Sequence, residues 1–344
     1  MIGAQIGPYL PKGGWQLSAS GSQFATGDEY TGSNLDQNLT AKGTDVIEGS
    51  TATDFDVSYG ITKQLSVTAD VPVTINYHWS AVIAGKRWED TARGLNDITF
   101  SARYWLFDCT KHTDQNIAVN LGLRTPTGNA NSLWPFPLGN GTDVIPRPVF
   151  TGAQMGSGAY GVVLAVDGFK EFRYFTIFGT GSYLISTKAQ NNTLSLGAAL
   201  SPAGPGSVPA NVRYNSTPDS YLVHTGAAIP LHIPRLSGLS GLFAGRIVGV
   251  PVTNLFGPTL GFRQPGYFVT VEPGLNFDTK LATYSISVPL RVYANVEPAD
   301  AGTQTGISRN SDFTHDLILM SVSFTFGGHK TPEVEEAPAP IPSK

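Results

Sequence analysis

Along most of this chain apolar and polar residues take turns, one for one. Thr53-Asp54-Phe55-Asp56-Val57-Ser58-Tyr59 and Leu65-Ser66-Val67-Thr68-Ala69-Asp70-Val71 both repeat with period two, and the second continues through Val73, Ile75 and Tyr77. Successive side chains of an extended strand point to opposite faces, so these stretches predict strands with one apolar and one polar face. Only residues 60–64 separate them, a length that suits an antiparallel hairpin and is far too short for a parallel crossover. The same grammar returns at 98–104 and 117–123, then at 159–168, 174–186, 220–230, 242–253, 266–277, 282–295 and 316–326, with a first strand near 14–25 led by Trp15, Leu17 and Ala19.

The connections sort by length. Short links near 60–64, 107–115, 169–173, 231–241 and 278–281 alternate with long ones near 26–50, 80–95, 128–158, 187–219, 254–265 and 296–315. Outer-membrane barrels join their strands by short periplasmic turns and longer extracellular loops, whereas a soluble sandwich or propeller has no reason to do so. The pattern therefore predicts an all-β fold, a transmembrane antiparallel up-and-down β-barrel of about twelve strands over 14–326, with both termini in the periplasm. Residues 1–13 form an N-terminal periplasmic arm, which disorder or entry into the lumen would both accommodate. Residues 327–344, rich in Pro and Glu, form a disordered periplasmic tail.

Composition agrees. Charged residues are 14% of the chain, against about a quarter in soluble domains, and Gly reaches 39. Mean hydropathy is −0.04, and no run of eighteen apolar residues exists to make a membrane helix. Alternation explains both facts, because the apolar residues never accumulate in one window. A net charge of −4 without a basic cluster excludes nucleic-acid binding. No signal sequence precedes residue 15, and a barrel bound for the outer membrane must cross the inner membrane on one, so the expectation is that it has been cleaved. The single cysteine, Cys109, flanked by Asp108 and Thr110, reads as an inert turn residue.

If Phe55, Val57, Val67, Ile98, Phe100, Val119 and Leu121 face lipid, the alternate set faces the lumen. The candidate pore lining is then Asp54, Asp56, Asp70, His78, Asp97, Arg103, Arg124, His224, Arg246, Glu272 and Arg291. An arginine on the lipid face would cost about 2–4 kcal/mol at the bilayer midplane, which forces the arginines inward. Such a lining acts either as a constriction with a transverse field that selects solutes by charge, or as cross-lumen salt bridges filling a narrow bore. The loop 128–158 carries Trp134-Pro135-Phe136-Pro137-Leu138, whose Trp134, Phe136 and Leu138 make a candidate lid over the mouth or a self-packed surface cluster. Trp15, Tyr59, Tyr77, Trp79, Tyr104, Tyr183, Tyr267, Phe277 and Phe326 stand near strand ends as interfacial girdles. Pro72, Pro230, Pro251, Pro273 and Pro289 fall inside candidate strands, where each removes a ladder donor, and require bulges or strand ends near the rim.

Three short motifs sit at strand junctions: Gly94-Leu95-Asn96-Asp97, Leu123-Arg124-Thr125-Pro126-Thr127-Gly128 and Gly156-Ser157-Gly158. Together they resemble the outer-membrane family called MetA-pathway of phenol degradation, over roughly residues 50–326. That resemblance implies a transporter-like barrel associated with uptake of aromatic or other poorly soluble compounds, and it brings no catalytic residues. The sequence holds no metal-spaced His or Cys cluster, nucleophile elbow or phosphate loop, so neither an enzyme nor a cofactor is expected. The functional expectation is a passive outer-membrane channel for small, aromatic or hydrophobic solutes. The second reading is a scaffold or binding barrel that docks a protein partner through its lumen, loops or periplasmic tail.

Overall fold

The computed structural model describes residues 9–35, 41–83, 85–137, 144–297 and 316–327. Fourteen strand segments form one antiparallel sheet. Two pairs of segments are single strands with a break, so the barrel has twelve staves. In chain order they are β1 (Gly14–Thr26), β2 (Ile47–Gly60), β3 (Leu65–Ile83), β4 (Lys86–Leu95 and Thr99–Trp105), β5 (Gln115–Arg124) and β6 (Gly161–Glu171). They continue as β7 (Thr176–Ser186), β8 (Ser220–Pro230), β9 (Leu239–Val250), β10 (Gly266–Asp278), β11 (Ala282–Ser287 and Leu290–Val296) and β12 (Asp316–Gly327). Each pairs with its sequence neighbour, and β1 closes on β12 from Gly14 opposite Gly327 to Ala25 opposite Asp316. Closure of the first strand on the last removes the open sheet edge that a membrane does not tolerate. No helix among the described residues is long and apolar enough to cross a membrane; the strands do the crossing.

The apolar face points outward. Leu121 is 60% exposed and Phe243 62%, and Phe55, Val67, Phe100, Val119, Leu164, Ile247 and Met320 stand exposed around the wall. A continuous apolar girdle of this extent belongs in lipid. Trp15 and Tyr59, with rings 4.7 Å apart, lie with the exposed Tyr104 and Phe326 at the short-turn rim, which also holds both ends of the barrel; in outer-membrane barrels that rim is the periplasmic one, and the two rims take their names from that.

The prolines explain both strand breaks. The carbonyl of Pro72 on β3 accepts the N–H of Asn96, so its missing N–H faces β4, and there β4 leaves the ladder between Leu95 and Thr99. Pro273 on β10 accepts from Val288 in the same way, opposite the break in β11 that contains Pro289. Pro230 ends β8, and Pro251 follows β9.

Two expectations are corrected. Residues 80–95 are no loop: β3 and β4 continue past the barrel as a paired hairpin, from Trp79 opposite Asp90 to Ile83 opposite Lys86. A bulge also places Ile75 as an extra residue between Thr74 and Asn76 in the pairing with β2, which reverses the phase of β3 above it. Tyr77 and Trp79 are thereby turned inward and buried, away from any lipid girdle. His78, between them, is turned to the outer side and leaves the pore-lining set.

At the periplasmic rim the turn 106–114 buries Cys109 beside Trp105 and Ala118, and burial, with Asp108 adding to it, pushes the thiol up to about 11. Folded protein at pH 8 is therefore expected to alkylate on the order of a hundredfold slower than an ordinary thiol, and to react at the ordinary rate once unfolded. Mass-spectrometric counting of adducts over time checks this.

Candidate functional site: the lumen and its closures

The inward face divides into three levels. In mid-barrel, two charged clusters run along the wall, not across the bore. On β4 to β7, Arg103 Nη2 lies 3.0 Å from Asp167 Oδ2, and Asn120 bridges them, accepting from Arg103 Nε at 3.1 Å and donating to Asp167 at 2.7 Å. Thr180 donates to the other oxygen of Asp167 at 2.5 Å. On β8 to β11, Glu272 accepts from Arg246 Nη2 at 3.0 Å, from Arg246 Nε at 3.2 Å and from Ser287 Oγ at 2.6 Å, with His224 Nε2 at 3.2 Å. Inward phase places these residues on adjacent strands at matching register, Arg246 opposite His224 on one side and Thr270 on the other. Asp54, Asp56 and Asp70 form an acidic stretch on β2 and β3, with Asp56 directly opposite Asp70. Acids outnumber arginines on this face, and among the described residues the arginines of the lumen are each matched by a carboxylate.

The extracellular level is apolar. The described parts of the loop between β5 and β6, 125–137 and 144–160, turn back into the mouth, where Phe136, 1% exposed, packs with Val149, Ala153 and Met155 against Tyr77, Trp79 and Ala81. Trp79 meets Phe136 edge-on at 6.1 Å and stacks on Phe150 at 6.2 Å. Trp134 is half-buried at the margin of this cluster, and Leu138 lies outside the described residues. The Tyr77 hydroxyl donates to the buried carboxylate of Glu48 at 2.5 Å. Arg291 reaches the mouth, paired with Asp28 and placed over the Tyr30 ring at 4.9 Å.

The three sequence motifs meet where this loop leaves the barrel. Asp97, in the break that Pro72 imposes on β4, accepts from the N–H of Gly128 at 3.0 Å, from the N–H of Ser157 at 2.9 Å and from Ser157 Oγ at 2.6 Å. Gly128 and Gly156 touch backbone to backbone; a Cβ on either would come within 2.3 Å of a carbonyl oxygen of the other limb of the loop. Arg124 Nε lies 3.8 Å from Asp97. Asp97 and Arg124 thus face inward, but the Asp97 carboxylate is a clamp for both ends of the plug loop.

Two groups escaped the sequence reading. Asp167 is legible by parity, since it alternates with Leu164 and Val166. Asp219, fully buried, holds two loops together by accepting from Ser186 N at 2.8 Å and Leu255 N at 2.7 Å, while Arg263 donates to Ser216 Oγ at 2.8 Å. Nothing in the local pattern announces it.

The periplasmic level is a cavity of about 520 Å³. Tyr9 of the N-terminal arm borders it, its ring 4.9 Å from Trp105 and 5.9 Å from Phe169, so this part of the arm does enter the barrel end. Among the described residues no group of three His, Cys, Asp or Glu side chains is placed to hold a metal ion.

No family model matches the sequence, and no curated protein does. Solved structures do match. An outer-membrane channel from Pseudomonas putida F1 aligns over 94% of this chain and 100% of its own length, with a TM-score of 0.59 at 11% identity. At that identity the likeness establishes the fold, an outer-membrane type of barrel. The P. putida toluene transporter TodX (TM-score 0.42, 10% identity, 94% of this chain and 92% of that) and the Ralstonia pickettii toluene transporter TbuX (0.40, 10%, 93% and 90%) are looser matches and add nothing to that conclusion.

Proposed function

We propose that the protein is a channel of the bacterial outer membrane that passes small aromatic or hydrophobic solutes. The observation that carries this reading is the lumen itself: an aromatic closure at the extracellular mouth stands above a shaft lined by polar side chains, whose periplasmic half remains a cavity. A polar ion pore has no use for an entrance built from Tyr77, Trp79, Phe136 and Phe150, whereas an apolar ring partitions into such a cluster favourably, at about 25 cal/mol per Å² of surface removed from water. The motif resemblance to the MetA-pathway family supports the same class of solute, and the P. putida F1 neighbour, an outer-membrane channel, is in keeping with a channel role.

The test is purified protein in planar bilayers. Discrete conductance steps are expected, with current reduced in a saturable way when toluene is added on the extracellular side. A membrane that stays silent over many insertions, or steps indifferent to the aromatic solute, would contradict the reading. The partner reading of the tail concerns residues 328–344, which lie outside the described residues.

A further inference from the structure

The periplasmic cavity has two unlike walls. Phe169, Phe178 and Leu242, on β6, β7 and β9, make one side apolar. Thr283, Ser285, Ser287 and Ser321, on β11 and β12, make the other a row of hydroxyls, with the Ser285 and Ser321 oxygens 2.6 Å apart. At about 520 Å³ it falls within the roughly 300–1,000 Å³ usual for small-molecule sites.

At its deep end stands His224, 3% exposed, with its ring 5.4 Å from Phe178. Its Nε2 lies 3.2 Å from Glu272, and the residue lines the cavity. Charge is one-sided as well. Glu272 lies at the deep end and Glu171 and Asp278 line the cavity toward the strand ends, and no lysine or arginine is among the described lining residues. Glu272 is already paired with Arg246, which is not among the lining residues, so the acids left without an arginine or lysine partner on this wall, among the described residues, are Glu171 and Asp278.

From this arrangement we infer that the periplasmic half of the lumen is a binding site for a single-ring compound bearing a hydrogen-bonding substituent, neutral or cationic, from which the corresponding anion is excluded. The ring lies against Phe169 and Phe178, the substituent meets the serine row, and a carboxylate in that position would find no lysine or arginine on the described wall, with Glu171 and Asp278 at the cavity's outer end. The inference rests on the channel reading and deepens it, by giving the bore a station that sorts solutes by charge.

The experiment uses full-length protein in nanodiscs and fluorine NMR of three single-ring probes of similar size, 4-fluorobenzyl alcohol, 4-fluorobenzylamine and 4-fluorobenzoate, with empty nanodiscs subtracting partition into lipid. The alcohol and the amine are expected to bind above the blank, and the benzoate at least tenfold more weakly. In Phe178→Ala, binding of the alcohol falls about tenfold. In the double variant Glu171→Gln with Asp278→Asn, at the cavity's outer end, the benzoate gains at least threefold. Benzoate binding as well as the alcohol, or none of the three exceeding the blank, overturns the inference. Conductance is recorded on the same preparation: steps without ring binding leave the channel standing and remove the site, and ring binding without steps does the reverse.

Discussion

Replacing Asp97 with Ala is expected to release the loop 125–160 from the mouth while the barrel itself survives. The carboxylate accepts two backbone N–H groups and one hydroxyl from the two ends of that loop. Hydrogen bonds to a charged group contribute about 1.5–3 kcal/mol each, and a buried N–H left without an acceptor costs about 1–3 kcal/mol. Water reaches the freed groups once the loop lifts, so the balance between seated and lifted loop should move by about 2–4 kcal/mol, a factor of roughly thirty to several hundred. The barrel ladder does not pass through Asp97, which stands in the break of β4, so the strands have no cause to separate. Two measurements follow. Single-channel conductance should rise well above that of the parent, and limited proteolysis should cut within 128–158 while the remaining barrel resists. Asp97→Asn, which keeps an acceptor oxygen without the charge, should fall between the two. A variant with parental conductance and an uncut loop would show that the apolar packing of Phe136 and Val149 alone seats the plug.

The second large effect is expected at Glu272. Its carboxylate holds the guanidinium of Arg246 through both Nε and Nη2, and both side chains are almost entirely buried. Removing one partner of such a pair strands the other charge, at about 3–5 kcal/mol. Glu272→Ala should therefore lower by several degrees the temperature at which the folded barrel is lost, read by the gel shift between folded and unfolded forms. Substituting both partners by apolar residues of similar volume, Glu272→Leu with Arg246→Met, should recover most of the loss, because no buried charge remains. If the single and double variants melt alike, the pair is not what stabilises this wall.

How far the sequence reaches can be seen strand by strand. Over 53–59 and 65–71 alternation is unbroken and both faces of the wall are evident from residue type alone, as are the inward phases of Arg103, His224, Arg246 and Glu272. The reading fails at Ile75, because a single bulged residue reverses every face beyond it and leaves no mark in a period-two pattern; His78 was assigned inward, and Tyr77 and Trp79 outward, for that reason. It fails again over Lys86–Leu95, whose Lys, Arg, Glu and Asp residues read as a loop. Above the membrane the outer face of a hairpin meets water, so the apolar half of the alternation is no longer required. The prolines announced interruptions, but only pairing shows that each gap lies on the neighbouring strand, where the missing N–H points. Asp97 read as a pore charge because its partners, Gly128 and Ser157, lie 31 and 60 residues away. Arginines could be assigned to the lumen by solvation cost, yet their pairing along the wall depended on register.

The central claim is that alternate residues of these strands face lipid and water. It is tested most directly by spin labels placed one at a time at 119, 120, 121 and 122 of β5, in a Cys109→Ser background and in lipid bilayers. Labels at Val119 and Leu121 are expected to be relaxed by oxygen, which concentrates among acyl chains, and labels at Asn120 and Gly122 by a water-soluble nickel complex or by neither, in strict alternation. Equal accessibility at all four positions, or oxygen relaxing the even positions instead, would contradict the account.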